Sequence, residues 1–154
     1  MAGSPDDRYR DMDDGQPAPL RPCDIAAIDK ETLAYALDGA EGVAGGHRAG
    51  TGIPGQSEFP VGWDEDKVRE AIESVLWGDD PNRNITPSKN GVVFRGLHDG
   101  VILAVPVHNL GREWVVATAY PYSGSGVNRN DRRGRPIPVP LKLEDLTRTL
   151  DSWR

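Results

Sequence analysis

Two stretches of the chain carry apolar residues at helical spacing. The clearer one follows the acidic run Asp64-Glu65-Asp66, and its apolar members are Val68, Ala71, Ile72, Val75 and Leu76. Because anionic side chains in an opening turn interact favourably with the helix dipole, this pattern predicts a helix from Asp64 to about Trp77. A weaker pattern predicts a short helix from Asp24 to Leu37, with Gly39 placed to end it.

Three later segments are rich in Val and Ile and predict strands. They are Gly91–Arg95, Val101–Val107 and Glu113–Tyr120, separated by the turn signals His98-Asp99-Gly100 and Asn109-Leu110-Gly111. Such short spacing is typical of an antiparallel meander. Helices followed by strands indicate an α+β domain, with N-terminal helices packed against an antiparallel sheet.

Composition limits what this domain can be. The chain has 154 residues and a formal net charge of −6, which suits one domain, and no apolar run is long enough to span a membrane. A single cysteine rules out an internal disulfide and zinc sites built on paired cysteines. Residues 1–22 are rich in Asp, Pro and Gly, so we expect a disordered linker, or a remnant of an expression vector, there.

After this segment, we predict that residues 23–124 form the main domain. Residues 125–154 are predicted to be a basic loop followed by a short C-terminal helix. That helix is suggested by Leu143, Leu146, Leu150 and Trp153. Within the domain, residues 39–56 are so rich in glycine that they predict a loop, and this loop carries His47. It could expose amides to a phosphate and present one imidazole, or it could be only a flexible connection.

The motif GGHRAGTGIPGQSEFPVGW, the helix after it, the RGLHDGV turn and the VVATAYP strand occur in this order. In that order they resemble the bacterial EndoU nuclease domain, and the resemblance covers residues 31 to 124. It implies an EndoU or barnase-like ribonuclease architecture. Bacterial members are commonly the C-terminal tips of large secreted toxins that cut RNA and are neutralised by a cognate immunity protein.

The chemistry of RNA cleavage explains the residue types of that family. A base takes the proton of the 2′-hydroxyl, an acid protonates the leaving 5′-oxygen, and a cation stabilises the developing phosphorane charge. The product ends in a 2′,3′-cyclic phosphate. The resemblance therefore implies an endoribonuclease that uses no metal and no cofactor, and that refuses DNA because DNA lacks the nucleophile.

Carried over residue by residue, the resemblance gives His47 a role in proton transfer and places Thr118 and Tyr120 beside the scissile phosphate and base. Ordinary strand packing is the alternative for Thr118 and Tyr120, since both are good strand formers. Lys89 stands where the family has its cation, and a solvated loop lysine is the equal alternative.

The first histidine of the family is missing from this chain. Counting back from Gly39 or from His47 reaches Tyr35 or Ala36. The chain could be a variant inactivated so that a toxic nuclease can be produced, another group such as Tyr35 could substitute, or the domain could be a degenerate binder. We interpret His98 and His108 as surface histidines.

RNA contacts are expected from two groups of residues. Those in the histidine motif are Gly46, Arg48, Gln56 and Ser57, and those in the basic tail are Arg129, Arg132, Arg133 and Arg135. Gln56 stands where many relatives carry a lysine. The four arginines predict a phosphate-tracking tail, with a solvated loop as the alternative.

The resemblance also implies partners and a location. We expect RNA, with transfer RNA as one candidate, and an immunity protein bound tightly in a salt-sensitive way. The chain is expected to be a monomer outside that complex, to have no membrane span, and to act in the cytoplasm of a target cell as part of a larger secreted effector. The alternative function is a catalytically silent module that binds RNA or a protein through the same cleft.

Overall fold

Both expected helices are present in the computed structural model, which describes residues 25–39, 46–78, 83–111 and 113–146. Helix α1 is Lys30–Asp38 and helix α2 is Glu65–Trp77. The side chain of Asp64 accepts a hydrogen bond from the amide of Lys67, which caps α2 where the sequence predicted its start. The predicted linker 1–22 lies outside the described residues.

Helix α1 begins later than predicted. The side chain of Asp29 accepts a hydrogen bond from the amide of Thr32 and so caps the start of α1. The residues before Asp29 are not helical. Ile25 and Ile28 are buried although they precede the helix, and Ile25 forms a parallel bridge with Trp114. The apolar character of these two residues therefore comes from their burial in a non-helical segment and did not indicate a helix.

Five antiparallel strands form the larger sheet. They are β2 (Asn84–Ser88), β3 (Gly91–His98), β4 (Val101–Asn109), β5 (Trp114–Val116) and β6 (Tyr120–Gly124). Strands β2, β3 and β4 follow one another, and both β5 and β6 pair with the other side of β4. The single third strand predicted over Glu113–Tyr120 is thus two strands, separated at residues 117–119, and strand β2 was missed.

A smaller sheet joins distant parts of the chain. Its strands, in spatial order, are β1 (Ser57–Glu58), β7 (Asn128–Asn130) and β8 (Pro136–Pro138). In register, Ser57 pairs with Arg129 and Glu58 with Asn128. Only a basic loop was predicted between residue 125 and the C-terminal helix, whereas β7 and β8 of this segment pair with each other and with β1.

The core lies between α2 and the larger sheet. The apolar stripe of α2 is buried, and a Cβ on Gly96 of β3 would lie 3.0 Å from a methyl of Val75, so the helix packs directly on the strand. Arg95 of β3 is fully buried and donates to the carbonyl of Asp145 at 2.9 Å. This bond holds a 3₁₀ helix, Leu143–Leu146, against the sheet.

The α+β fold class predicted from the sequence is confirmed. Of the predicted C-terminal helix, Leu150 and Trp153 lie outside the described residues. Among the helices that are described, none has the length and apolar character that crossing a membrane requires.

Candidate active site

The loop around His47 is fixed to the end of α1. Its three successive amides donate to the last carbonyls of the helix, which would otherwise lack partners. The bonds run from Gly46 to Tyr35 at 3.2 Å, from His47 to Ala36 at 2.8 Å and from Arg48 to Leu37 at 2.8 Å. The backbone at the position of the missing histidine is therefore directly beside His47. Ala36 is fully buried and Tyr35 is half-buried.

The imidazole of His47 has a defined tautomer. Its Nδ1 lies 2.7 Å from the carbonyl oxygen of Ser57, and since that oxygen can only accept, Nδ1 carries the hydrogen. Nε2 then keeps its lone pair, and none of the hydrogen bonds among the described residues involves Nε2. A nitrogen in this state can take a proton.

Burial keeps His47 neutral. The residue is only 6% exposed, and burial lowers the pKa of its imidazole below the ordinary value. The hydrogen bond to Ser57 opposes this shift, and the charge of Arg129 adds to it. At neutral pH the ring is therefore unprotonated.

Tyr120 is the aromatic neighbour of this imidazole. The two rings stack with centroids 5.5 Å apart and planes 29° apart, so His47 contacts the first residue of β6. Burial raises the pKa of the Tyr120 phenol, while the charges of Arg95 and Arg129 act against it. The phenol thus stays protonated at neutral pH and can donate a proton.

Thr118 lies two residues before Tyr120, at the break between β5 and β6. Its hydroxyl oxygen is buried and has no hydrogen-bond partner among the described residues. A buried hydroxyl without a partner is unusual.

Glu58 was not singled out by the sequence analysis, although it lies in the SEFP part of the motif. Its buried carboxylate accepts four hydrogen bonds from the glycine loop and β7. The donors are the amides of Gly50 (2.8 Å) and Gly52 (2.8 Å), the hydroxyl of Thr51 (3.0 Å) and the side-chain amide of Asn130 (2.7 Å). Burial acts to raise the pKa of this carboxyl, but the hydrogen bonds outweigh it and the pKa lies below its ordinary value. Glu58 therefore organises the loop that presents His47.

Arg129 brings positive charge to the site. It is exposed, lies opposite Ser57 in the smaller sheet, and donates to the carbonyl of Gly55 at 3.2 Å. Its charge acts on the pKa of both His47 and Tyr120. Arg129 is thus an exposed cation close enough to act on both rings.

The other arginines of the basic tail lie on the turn between β7 and β8. Asp131 shapes this turn by accepting from the backbone amides of Arg133 and Arg135, and it also pairs with the Arg135 guanidinium at 2.9 Å. A Cβ on Gly134 would overlap the carbonyl oxygen of Gly52, so the turn packs against the glycine loop. Arg132 and Arg133 are exposed there.

Two members of the histidine motif are engaged elsewhere. Arg48 forms a two-pronged ion pair with Asp38, at 2.7 and 3.0 Å. The backbone carbonyl of Gln56 accepts a hydrogen bond from the backbone amide of Asn130 at 2.8 Å. The backbone amide of Gln56 donates to the carbonyl of Ile53. The buried Ser57 contributes its carbonyl to His47, as described above.

Lys89 lies away from His47. It occupies the turn between β2 and β3, just before Gly91, which pairs with His108, whereas Tyr120 pairs with Ala104. Ala104 and His108 are four positions apart on β4, which corresponds to about 14 Å along the strand. The structure therefore does not bring Lys89 together with the imidazole and the phenol.

The other two histidines are also distant from this site. His98 lies at the opposite end of β3 and its Nε2 is 2.7 Å from a carboxylate oxygen of Glu70. Glu70, His98 and Asp99 bring three potential metal-ligand atoms within 4.8 Å of one another. The ammonium of Lys67 contacts both carboxylates, so it already offsets part of their negative charge.

Comparisons of this chain with protein-family models, with curated proteins and with solved structures find no match.

Proposed function

We propose that this chain is a metal-independent endoribonuclease domain of the bacterial EndoU type. The observation that carries the proposal is the neutral imidazole of His47, held in one tautomer by Ser57 and stacked on Tyr120. The exposed guanidinium of Arg129 beside it supports the choice of a phosphodiester substrate.

The proposed reaction uses these groups in turn. Nε2 of His47 takes the proton of the 2′-hydroxyl, and the 2′-oxygen attacks phosphorus. The bond from phosphorus to the 5′-oxygen breaks, and that oxygen takes a proton from the phenol of Tyr120. Arg129 stabilises the phosphorane charge in the role that the resemblance assigned to Lys89, and Thr118 lies beside the bound nucleotide, as the resemblance implies.

The remaining proposals follow from the same resemblance. The chain is the tip of a larger secreted effector, acts on RNA such as transfer RNA in the cytoplasm of a target cell, and is a monomer until an immunity protein binds it. The basic turn next to the glycine loop supports an acidic inhibitor surface that covers the cleft.

RNA cleavage in the presence of EDTA tests the activity. Total RNA and transfer RNA are incubated with the chain, and the ends of the fragments are analysed for 2′,3′-cyclic phosphate. His47→Asn keeps a donor toward the Ser57 carbonyl but loses the base, so we expect the rate to fall about 100-fold or more. His98→Asn is the matched control and is expected to leave the rate unchanged.

Two results would count against this assignment. If Lys89→Ala lowered the rate more than Arg129→Ala, the cation would be misassigned. If neither the chain nor its Tyr35→His variant cut any RNA, the enzyme proposal would be abandoned. Tyr35 is the better restoration site because it is half-buried, whereas a histidine at the fully buried Ala36 would overpack the core.

A second candidate, a silent module that binds RNA without cutting it, is favoured by one observation. The chain has three histidines, and His98 and His108 both lie away from His47. Measurable RNA binding by the chain, combined with no cleavage under any condition, would select this candidate.

A further inference from the structure

A second cleft lies at the end of the larger sheet, between the β2–β3 turn and the β4–β5 turn. Its volume is about 650 Å³, compared with about 320 Å³ for the cleft beside Arg48 and Trp63. The larger volume is within the range of small-molecule sites. None of its lining residues contacts His47, so this cleft is separate from the candidate active site.

Among the residues that the structure describes, the lining of this cleft, called here the sheet-end cleft, contains no carboxylate, although the chain as a whole carries a net charge of −6. Its lining includes Lys89 and His108. Neither side chain has a hydrogen bond or an ion pair with another described residue. Lys67, by contrast, is paired with carboxylates. An unpaired cation in an acid-free cleft favours an anionic ligand.

The aromatic wall of the sheet-end cleft is Trp114, which is half-buried and packs partly against the core. No aromatic ring or cation among the described residues stacks on its indole. Trp63 differs, because Phe59 stacks on it at 5.6 Å and the ammonium of Lys67 lies 5.4 Å from its centre. The indole of Trp114 is therefore available for a flat ligand group.

We propose that the sheet-end cleft binds a nucleotide, with its base on the indole of Trp114, its phosphate on the ammonium of Lys89 and a base edge on the side-chain amide of Asn90. The same chemistry is offered by a free mononucleotide and by one nucleotide of an RNA strand. This proposal does not depend on cleavage at His47.

Titration of the folded chain with AMP and with UMP, followed by two-dimensional NMR, tests the proposal. We expect the indole resonance of Trp114 and the amides of Asn90 and Asn109 to shift. Lys89→Ala is expected to weaken binding by about fivefold, and Lys89→Glu by more. Lys30→Ala, which removes an exposed lysine of α1, is the matched control and is expected to leave the affinity unchanged.

Further ligands identify the chemistry that is bound. A short single-stranded RNA that binds more tightly than either mononucleotide, and whose affinity falls in Lys89→Ala, would assign the site to a strand, whereas equal affinities would assign it to a free nucleotide. Binding of inorganic phosphate as tight as that of AMP would overturn the nucleotide assignment. Shifts confined to residues around His47 would show that the sheet-end cleft is not the binding site, although they would still favour the proposed function. The absence of any shift at millimolar ligand would also overturn the proposal for the sheet-end cleft.

Discussion

His47 is the side chain on which the proposed reaction depends, and its protonation can be measured directly. Because burial lowers its pKa, we expect it to titrate below the ordinary value of about 6.5. The native state then binds fewer protons than the unfolded state just below that pH. Stability is therefore expected to fall as the pH drops from about 6.5 to the pKa of the folded state.

Nitrogen-detected NMR checks the tautomer, and unfolding in urea at several pH values checks the linkage. The loss of stability on acidification should be smaller in His47→Asn, which has no group to protonate there. A ring that carries its hydrogen on Nε2 at neutral pH would contradict the assignment made from the Ser57 contact.

Glu58 gives a prediction about stability at the same site. Glu58→Gln replaces an acceptor oxygen by a donor nitrogen among four donors, so we expect a loss of about 1–3 kcal/mol in the free energy of unfolding. Because the pKa of Glu58 is lowered in the folded state, this contribution is present above about pH 4.5 and is lost as the pH falls through the lower folded value.

Chemical unfolding between pH 3 and pH 7 measures this difference. The exposed Glu73→Gln is the control, and its effect should be small at every pH. A difference between wild type and Glu58→Gln that stays constant down to the lowest pH would show that the carboxylate charge does not contribute.

The packing of the β7–β8 turn on the glycine loop can be tested with two glycines of similar conformation. Gly134 and Gly55 have φ values of 80° and 79°, so alanine is strained at both by about 1 kcal/mol. At Gly134 a Cβ would also overlap the carbonyl oxygen of Gly52, whereas at Gly55 nothing lies within 4 Å. We therefore expect Gly134→Ala to destabilise the protein clearly more than Gly55→Ala.

Thermal unfolding of the two variants checks the expectation. The RNA cleavage rate is expected to fall further in Gly134→Ala, since displacement of the turn also moves Arg129 relative to His47. Equal losses of stability in both variants would mean that the turn does not pack on the loop in solution.

At the level of secondary-structure elements, prediction succeeded where a segment carries its own signal. The apolar stripe and the acidic cap of α2 lie within fourteen consecutive residues, and the helix forms where they predict. Strand β2, NITPS, has neither alternation nor an apolar run and contains Pro87. It exists because β3 offers it a pairing edge, which the local sequence cannot show.

For the whole molecule, the balance of charge determines how RNA could approach. The chain is acidic, so under the proposed function we expect much of the attraction to come from the arginines of β7 and of the turn after it. Removing Arg129, Arg132 and Arg133 together by substitution with Ala should weaken RNA binding. It should also make the slope of log affinity against log salt shallower by about 2, since each phosphate contact on a single strand contributes about 0.7.

Binding of a labelled single-stranded RNA at several salt concentrations measures the slope. Lys30→Ala is the control, because it removes a cation that lies on α1, and its slope should match that of the wild type. A triple variant with an unchanged slope would mean that RNA is attracted elsewhere.

The sequence by itself determined the α+β class, helix α2, most of the residues in β3 and β4, and the residue types around His47. These features depend on neighbouring residues along the chain, where periodicity and turn chemistry act. Only the tertiary structure decided that Arg129 rather than Lys89 lies beside the imidazole, that Glu58 holds the glycine loop, and that a second cleft opens at the end of the larger sheet. These features depend on which segments far apart in sequence come to lie side by side, such as β1 and β7, and a local pattern does not encode its distant partner.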